Sequence, residues 1–231
     1  MGFNQLSKER KIDIVFCIDA TSSMGPCIDN VKKHARTFYQ EFVDKMIKEY
    51  NSKVDSLRVQ VIVFRDLECD TEGLVCSEFF ELPADTSYFE NYLDRVTPRG
   101  GGDYKESGLE AIYTAMTTNW IARGSNDRQV ILFFSDADAI DFGEKENRTG
   151  YPKICDQTTF LNMWLCRMGN ANKLSERCKR MVMFAPAKSV YEKLQGMLNR
   201  TAFKAVLPQE GMEDVSFDEI MKILCASASS I

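Results

Sequence analysis

The sequence contains a single histidine, no Cys-x-x-Cys pair and no long apolar run. A His-based catalytic triad therefore has one candidate base, His34, which we expect to be solvated because it falls outside the apolar stripe of a predicted helix. No apolar stretch approaches the ~18 residues of a membrane span. An excess of positive charge is also missing, with 29 Lys and Arg against 34 Asp and Glu. This balance argues against nucleic acid or an anionic membrane as partner.

The amino-terminal residues are polar, and their apolar stretch is too short for a secretion signal. Eight cysteines are present, but Cys17 lies inside an apolar run and no metal-binding or disulfide spacing is evident. We therefore expect reduced thiols that pack as small hydrophobic groups, and a cytoplasmic location.

Apolar periodicity predicts an alternation of strands and helices along the chain. Strands are predicted at 12–18, 57–64, 75–82 (weak, at an edge), 130–134, 181–185 and 203–207, and helices at 28–46, 87–96, 109–120, 161–168, 190–198 and 217–224. Such alternation favours a mostly parallel sheet covered on both faces. We expect one domain over residues 11–225, with an N-terminal extension at 1–10 and a C-terminal tail at 226–231 that frays.

The first predicted strand ends in a group of oxygen-bearing side chains, Asp19, Thr21 and Ser23. In an open α/β fold this position is the carboxyl edge of the sheet, where ligands bind. The alternative is that the hydroxyls only cap the helix that follows.

Two further loops place oxygen side chains at the same expected edge. The glycine-rich segment 100–102 ends at Asp103, and the strand at 130–134 is followed by Asp136 and Asp138. Carboxylates and hydroxyls without histidine or cysteine are the ligands that Mg²⁺ or Mn²⁺ prefers. The three loops together predict a divalent-metal site, with Asp138 as a loop carboxylate beside it.

These motifs resemble the metal-ion-dependent adhesion site of von Willebrand factor type A domains, over roughly residues 11–225. The family's first motif is Asp-x-Ser-x-Ser, to which Asp19, Thr21 and Ser23 correspond, and its acid after a later strand corresponds to Asp136. The resemblance implies a Rossmann-like three-layer α/β sandwich whose mostly parallel sheet carries an antiparallel edge strand.

The remaining family ligand is usually a threonine, but the corresponding position here holds Asp103. In this respect the chain is similar to intracellular or bacterial members that read Gly-Gly-Gly-Asp-x-x-Glu, matched by residues 100–103 and Glu106. The ending of the second predicted strand, 64–66, is also similar to that subset. We expect Asp66 to contact the metal ligands from behind and not the metal itself. Because three carboxylates outweigh the charge of one divalent cation, we expect strong metal binding but weak attraction of acidic partners.

The resemblance implies a module that binds another protein through its metal face and performs no chemistry. The expected metal ligands are Asp19, Thr21, Ser23, Asp103 and Asp136. Two alternatives are a metal-dependent hydrolase or phosphoryl-transfer enzyme, and a structural interaction domain whose metal only holds loops together. The polar segment 137–154 is the expected selectivity surface, and the basic segment 177–180 is expected to be a solvated edge.

Overall fold

The computed structural model describes residues 10–101, 105–148 and 155–230, and a mostly parallel sheet forms its centre. The strands within these residues are β1 (Lys11–Asp19), β2 (Ser56–Phe64), β3 (Leu74–Cys76), β4 (Phe80–Leu82), β5 (Lys105–Glu106), β6 (Arg128–Phe134), β7 (Asp138–Ala139), β8 (Lys179–Pro186) and β9 (Thr201–Val206). The main sheet has the order β3-β2-β1-β6-β8-β9, and β4 also pairs with β2. Strands β5 and β7 form a separate parallel pair.

Helices cover both faces of the main sheet. In the described ranges they are α1 (Gly25–His34), α2 (Phe38–Tyr50), α3 (Thr86–Asp94), α4 (Gly108–Thr117), α5 (Phe142–Asn147), α6 (Gln157–Trp164), α7 (Val190–Gln195) and α8 (Phe217–Ser229). Helices α7 and α8 begin after serines whose hydroxyl oxygens accept a hydrogen bond from the backbone N–H three residues later: Ser189 from Glu192 (3.4 Å) and Ser216 from Glu219 (3.2 Å). These contacts satisfy N–H groups that a helix start leaves without a helical partner.

The side chains of β1 divide the interior into two apolar cores, because successive strand residues point to opposite faces. Phe16 and Ile18 pack into the core beneath α1, α2, α3 and α8, whereas Val15 and Cys17 pack into the core beneath α4, α6 and α7. Strand β1 pairs in parallel with β2 and β6, while β3 and β4 run antiparallel to β2. The three-layer α/β sandwich with an antiparallel edge is therefore confirmed.

The single helix predicted at 28–46 is wrong, because α1 and α2 are separated by a turn at 35–37. The backbone N–H and the hydroxyl of Thr37 both donate to the carbonyl oxygen of His34, at 3.1 and 3.3 Å. These bonds to the residue three positions back interrupt the helical ladder, which uses the fourth. His34 itself is not simply solvated, since its ring stacks on Phe217 with centroids 3.8 Å apart.

The weak edge strand predicted at 75–82 is interrupted by Ser77. The Ser77 hydroxyl accepts from the N–H of Val61, and the Ser77 N–H donates to the Val61 carbonyl oxygen, both at 2.9 Å. The Ser77 hydroxyl oxygen thus replaces a backbone carbonyl as acceptor in the β ladder, and the edge divides into β3 and β4.

The segment predicted as a long polar loop at 137–154 is ordered over its first half, as β7 and α5. Phe142 packs in the second core, and Lys145 forms a buried ion pair with Glu110 on α4. These contacts fix 137–148 against the domain, and residues 149–154 lie outside the described part of the chain.

The expected fraying after residue 225 is also wrong, because α8 continues to Ser229 and buries Ala228 completely. The basic segment 177–180 is not a solvated edge, since Lys179 and Arg180 are buried in β8. No helix within residues 10–101, 105–148 and 155–230 combines the length and apolarity that a membrane crossing needs.

Candidate metal centre

Asp19 ends β1 with a carboxylate that is completely buried. Its Oδ1 atom accepts hydrogen bonds from the backbone N–H of Thr21 (2.9 Å) and from the Thr21 hydroxyl (2.7 Å). A carboxylate that accepts from the N–H two residues later stabilises a turn. This turn carries the chain from β1 toward α1 and places Thr21 beside Asp19.

Asp136 lies two residues beyond the end of β6 and is likewise completely buried. Its Oδ1 atom accepts from the Ser23 hydroxyl (2.9 Å), and its Oδ2 atom accepts from the backbone N–H of Gly211 (2.8 Å). The loop after β1 and the loop after β6 therefore meet at one edge of the sheet, as predicted.

Ser135, directly before Asp136 in the chain, holds the Asp19 carboxylate. Its hydroxyl lies 2.7 Å from Asp19 Oδ2, to which it donates, and its backbone N–H bonds to Phe184 in β8. All four carboxylate oxygens of Asp19 and Asp136 thus accept a defined donor, which fixes the orientation of both groups. The role of Ser135 was not predicted, although its hydroxyl directly precedes Asp136 in the sequence.

The contacts of the hydroxyls decide against the helix-capping alternative. Thr21 and Ser23 donate to Asp19 and Asp136, and the Ser22 hydroxyl donates to the carbonyl oxygen of Gly100 (3.0 Å). No side-chain cap is formed at the start of the turn Ser22–Met24 or of α1. These side chains therefore serve the contact between loops rather than the start of the helix.

The electrostatics of the site favour a positive charge. Burial raises the pKa of Asp19 to about 6, the hydrogen bonds from Thr21 and Ser135 oppose this rise, and the nearby Asp136 adds to it. Among the described residues neither Asp19 nor Asp136 forms an ion pair with a lysine or arginine, although Asp19 is near enough to Arg65 that its charge opposes the lowering of the Arg65 pKa by burial. Two buried carboxylates held together without such a partner are costly unless a cation or a proton compensates them.

The donor set fits a hard divalent cation. Asp19, Thr21, Ser23 and Asp136 offer only oxygen, and hydroxyls that donate to a carboxylate keep their lone pairs for a metal. The described residues include no group of three acidic, histidine or cysteine side chains arranged around a metal. The predicted third carboxylate, Asp103, lies outside the described residues.

Asp66 and Asp138 each accept a hydrogen bond from a backbone N–H, and the expected place of Asp66 behind the ligands stays a prediction. Asp66 is completely buried and its Oδ1 atom accepts from the N–H of Glu68 (2.8 Å), a bond within its own loop. Asp138 Oδ1 accepts from the N–H of Val190 (2.8 Å) at the start of α7. Asp138 thus lies in β7 rather than in a loop, and this contact joins β7 to α7.

Arg65 holds the loops around the site. Its side chain is buried (3% of the residue exposed) and donates to backbone carbonyl oxygens of four other residues. These acceptors are Ala20 (3.0 Å), Arg99 (3.0 Å), Thr97 (2.8 Å) and Glu72 (3.2 Å). The loops after β1, β2 and α3 are thereby joined, a role that no local sequence pattern indicated.

Gly211 is a second positioning residue that sequence analysis missed. It has φ of +60°, and a Cβ atom there would lie 2.3 Å from the carbonyl oxygen of Ser23 and 2.8 Å from Pro26 Cδ. Only glycine lets this backbone reach Asp136 while it passes Ser23 so closely. Nothing in the sequence distinguished Gly211 from the other glycines.

Replacing Ser135 with alanine tests how far the carboxylate orientation matters. We expect Mg²⁺ affinity to fall about tenfold, because groups that orient a metal ligand commonly contribute that much. Calorimetric titration with MgCl₂ measures the change. Ser22→Ala is the matched control, since in the part of the chain that the structure describes its hydroxyl donates to the Gly100 carbonyl and to neither carboxylate; equal affinities for wild type and Ser135→Ala would contradict the role of Ser135.

Solved structures with a similar fold include two proteins of unlike origin. The pilus adhesin SpaC from Lactobacillus rhamnosus GG, in its open conformation, matches with a TM-score of 0.53 at 11% identity, over 95% of this chain and 30% of that one. Proximal thread matrix protein 1 from the mussel byssus matches with a TM-score of 0.52 at 12% identity, over 97% of this chain and 50% of that one. The chain thus spans at most half the length of these proteins, and the likeness shows the fold alone.

No curated protein sequence matches the chain. A family model described as the von Willebrand factor type A domain matches residues 14–139, which is more than half of the chain and includes Asp19, Thr21, Ser23 and Asp136. The chain therefore belongs to the von Willebrand factor type A domain family.

Proposed function

We propose that this domain is a divalent-metal-dependent protein-binding module without catalytic activity. Asp19, Thr21, Ser23 and Asp136 would hold Mg²⁺ or Mn²⁺, and Asp103 would join them from the glycine-rich loop. The observation that carries the proposal is the convergence of two fully buried carboxylates with two hydroxyls at the carboxyl edge of the sheet. Membership of an interaction-domain family supports a protein partner.

Some residues of such a site would bind the cation, and others would orient the residues that bind it. Asp19 and Asp136 supply negative charge, Thr21 and Ser23 supply neutral oxygens, and Ser135 and Gly211 fix the carboxylates. When bound, the cation supplies a positive centre that attracts an oxygen atom of the partner. Ser22 is exposed and Ser23 is half-buried, so this side of the site is open to a partner.

The segment 137–148 is the proposed selectivity surface beside the metal. Strand β7 and helix α5 follow Asp136 directly, and the ion pair of Lys145 with Glu110 holds α5 against α4. A rigid element next to a metal presents the same side chains to every partner, which favours selective recognition.

The proposal of binding without catalysis rests on the surroundings of the site. His34, the only histidine in the sequence, stacks on Phe217 in α8 and contributes no hydrogen bond to Asp19 or Asp136. A hydrolase would need another group to transfer protons. A cytoplasmic location stays a prediction.

Affinity capture tests the proposal. Immobilised wild-type domain is exposed to an extract of the source cells in Mg²⁺ or in EDTA, beside Asp19→Ala and the control Asp29→Ala, whose side chain is exposed on α1. We expect proteins identified by mass spectrometry to be retained by wild type and Asp29→Ala in Mg²⁺, and lost with EDTA or Asp19→Ala. Identical capture in all conditions, or turnover of phosphoester substrates that depends on Asp19, would contradict the proposal.

A further inference from the structure

Four arginines meet at the amino-terminal edge of the sheet, opposite to the metal centre. Arg128 and Arg180 lie at the starts of β6 and β8, while Arg10 and Arg200 directly precede β1 and β9. Because parallel strands begin at the same edge, these four side chains come together there; we call them the arginine cluster. Arg10 and Arg128 lie one strand length from Asp19 and Asp136, at the opposite ends of β1 and β6, and nothing in the proposed function uses the cluster.

The arginine cluster surrounds the carboxyl end of α8. The Ser230 carbonyl oxygen accepts hydrogen bonds from Arg128 Nε and from Arg180 Nη2, both at 2.9 Å, and Arg10 donates to the carbonyl oxygen of Ala228. Cations at the carboxyl end of a helix complete its free carbonyl groups and its partial negative charge. Every guanidinium nitrogen of Arg128 and Arg180 donates to a backbone carbonyl or to the Ser230 hydroxyl, so these contacts account for their donors but not for the four positive charges of the cluster.

The positive charge of the cluster is incompletely balanced. Among the described residues Arg10, Arg128 and Arg180 form no ion pair, and Arg200 lies 4.0 Å from Glu176, which also pairs with Lys179. Burial lowers the pKa of Arg10 and Arg128 and the negative charge of Asp127 opposes this fall, but one carboxylate does not balance four guanidinium groups. The Asp127 carboxylate also accepts hydrogen bonds from the backbone N–H groups of Lys11, Arg123 and Gly124.

Burial changes the pKa of two members of the arginine cluster. Arg128 and Arg180 are almost completely buried, at 2% and 3% exposed. Burial, together with repulsion from the neighbouring arginines, lowers the pKa of each to about 10. Mutual repulsion in a partly desolvated site is relieved by a bound anion.

A groove beside the cluster is open to such an anion. Its walls are formed by side chains and backbone at the starts of β8 and β9 and at the end of α8: Arg180, Arg200, Thr201, Ala202, Ser227 and Ser230. Of the arginine cluster, Arg180 and Arg200 line the groove; Arg10 lies outside this lining, and its buried Nε atom has no hydrogen-bond partner among the described residues. Guanidinium groups with neighbouring hydroxyls are the usual partners of phosphate oxygens.

We propose that the arginine cluster is a binding site for a phosphate-type oxyanion, seated in the groove between the start of β9 and the end of α8. The site is independent of the metal centre, because it lies at the other edge of the sheet and shares no residue with it. Free phosphate and a phosphorylated side chain present the same oxygens to it.

Thermal melting in phosphate tests this site. The metal-free domain in EDTA is melted in sodium phosphate and in sodium chloride of equal ionic strength, so that screening is the same. At ten times the dissociation constant we expect phosphate to raise the melting temperature by about 3–6 °C over chloride. O-phosphoserine is the second probe: a larger rise than with phosphate identifies a phosphorylated protein as the source, and an equal or smaller rise identifies free phosphate.

Variants complete the test. Arg200→Gln removes a guanidinium whose side chain is 33% exposed, so the fold is retained while the phosphate effect is expected to disappear. Arg36→Gln, which removes an arginine that is 81% exposed and pairs with Glu90, should respond like wild type. The proposal is overturned if phosphate and chloride act alike on wild type, or if Arg200→Gln keeps the full response.

Discussion

Replacing Arg65 with methionine is expected to lower the free energy of unfolding by roughly 2–5 kcal/mol, since each buried carbonyl left without a donor costs about 1–3 kcal/mol and some will regain water. Methionine fills part of the space but donates to none of the carbonyl oxygens that Arg65 contacts, which include Ala20, Arg99 and Thr97. The same contacts join the loops around the metal centre. Chemical denaturation followed by circular dichroism measures the loss.

Arg65→Lys and Arg36→Met are the controls for this effect. Lysine keeps the charge but lacks the planar set of donors, so we expect an intermediate loss. Arg36 is exposed, and its replacement should change the free energy of unfolding by less than about 0.5 kcal/mol. If Arg65→Met were as stable as Arg36→Met, the central role of Arg65 would be refuted.

The change Gly211→Ala is expected to lower the free energy of unfolding by roughly 2–4 kcal/mol, because it adds backbone strain to a steric clash. The new Cβ would meet the carbonyl oxygen of Ser23 at 2.3 Å, at a residue whose φ is +60°. Movement of Gly211 also withdraws its N–H from Asp136 Oδ2. We therefore expect Mg²⁺ affinity to fall about tenfold as well, measured by titration of the folded variant.

Gly143→Ala is the matched control for this substitution. Gly143 is exposed in α5, and a Cβ atom there would meet nothing within 4 Å. Alanine in a helix is more favourable than glycine, so we expect a gain of about 0.5–1 kcal/mol. A Gly211→Ala variant that matched wild type in both stability and Mg²⁺ affinity would show that the loop relaxes freely.

The proposed metal ligands that sequence reasoning identifies are those whose signal is local. Asp19, Thr21 and Ser23 follow a buried strand within five residues, and Asp136 follows another, so strand prediction alone places them at one edge. Arg65 and Gly211 act through contacts with residues distant in the chain, such as Arg99 and Ser23. Periodicity carries no information about such contacts.

The errors in the predicted helices and strands also come from contacts that the periodicity of the sequence does not report. The break between α1 and α2 depends on how Thr37 bonds to His34, and the split edge strand depends on Ser77 replacing a backbone group of the ladder. Between α1 and α2 the apolar pattern continues across the interruption, because Val31, Ala35 and Phe38 pack into the same core. At the edge, Leu74 of β3 packs against the second core and Leu82 of β4 packs in the first. The prediction of a frayed tail is wrong because Arg10 and Arg180 donate hydrogen bonds to the carbonyl oxygens of Ala228 and Ser230 at the end of α8.

Calorimetric titration of the metal-free domain with MgCl₂ tests the metal centre most directly. Wild type is compared with Asp136→Asn, which keeps the shape of the side chain but removes its charge, and with Asp29→Asn as an exposed control. We predict saturable binding of one Mg²⁺ by wild type and Asp29→Asn, and a loss of about 100-fold or more in Asp136→Asn. Absence of saturable binding by wild type, or equal affinity in Asp136→Asn, would contradict the assignment of Asp19, Thr21, Ser23 and Asp136 as metal ligands.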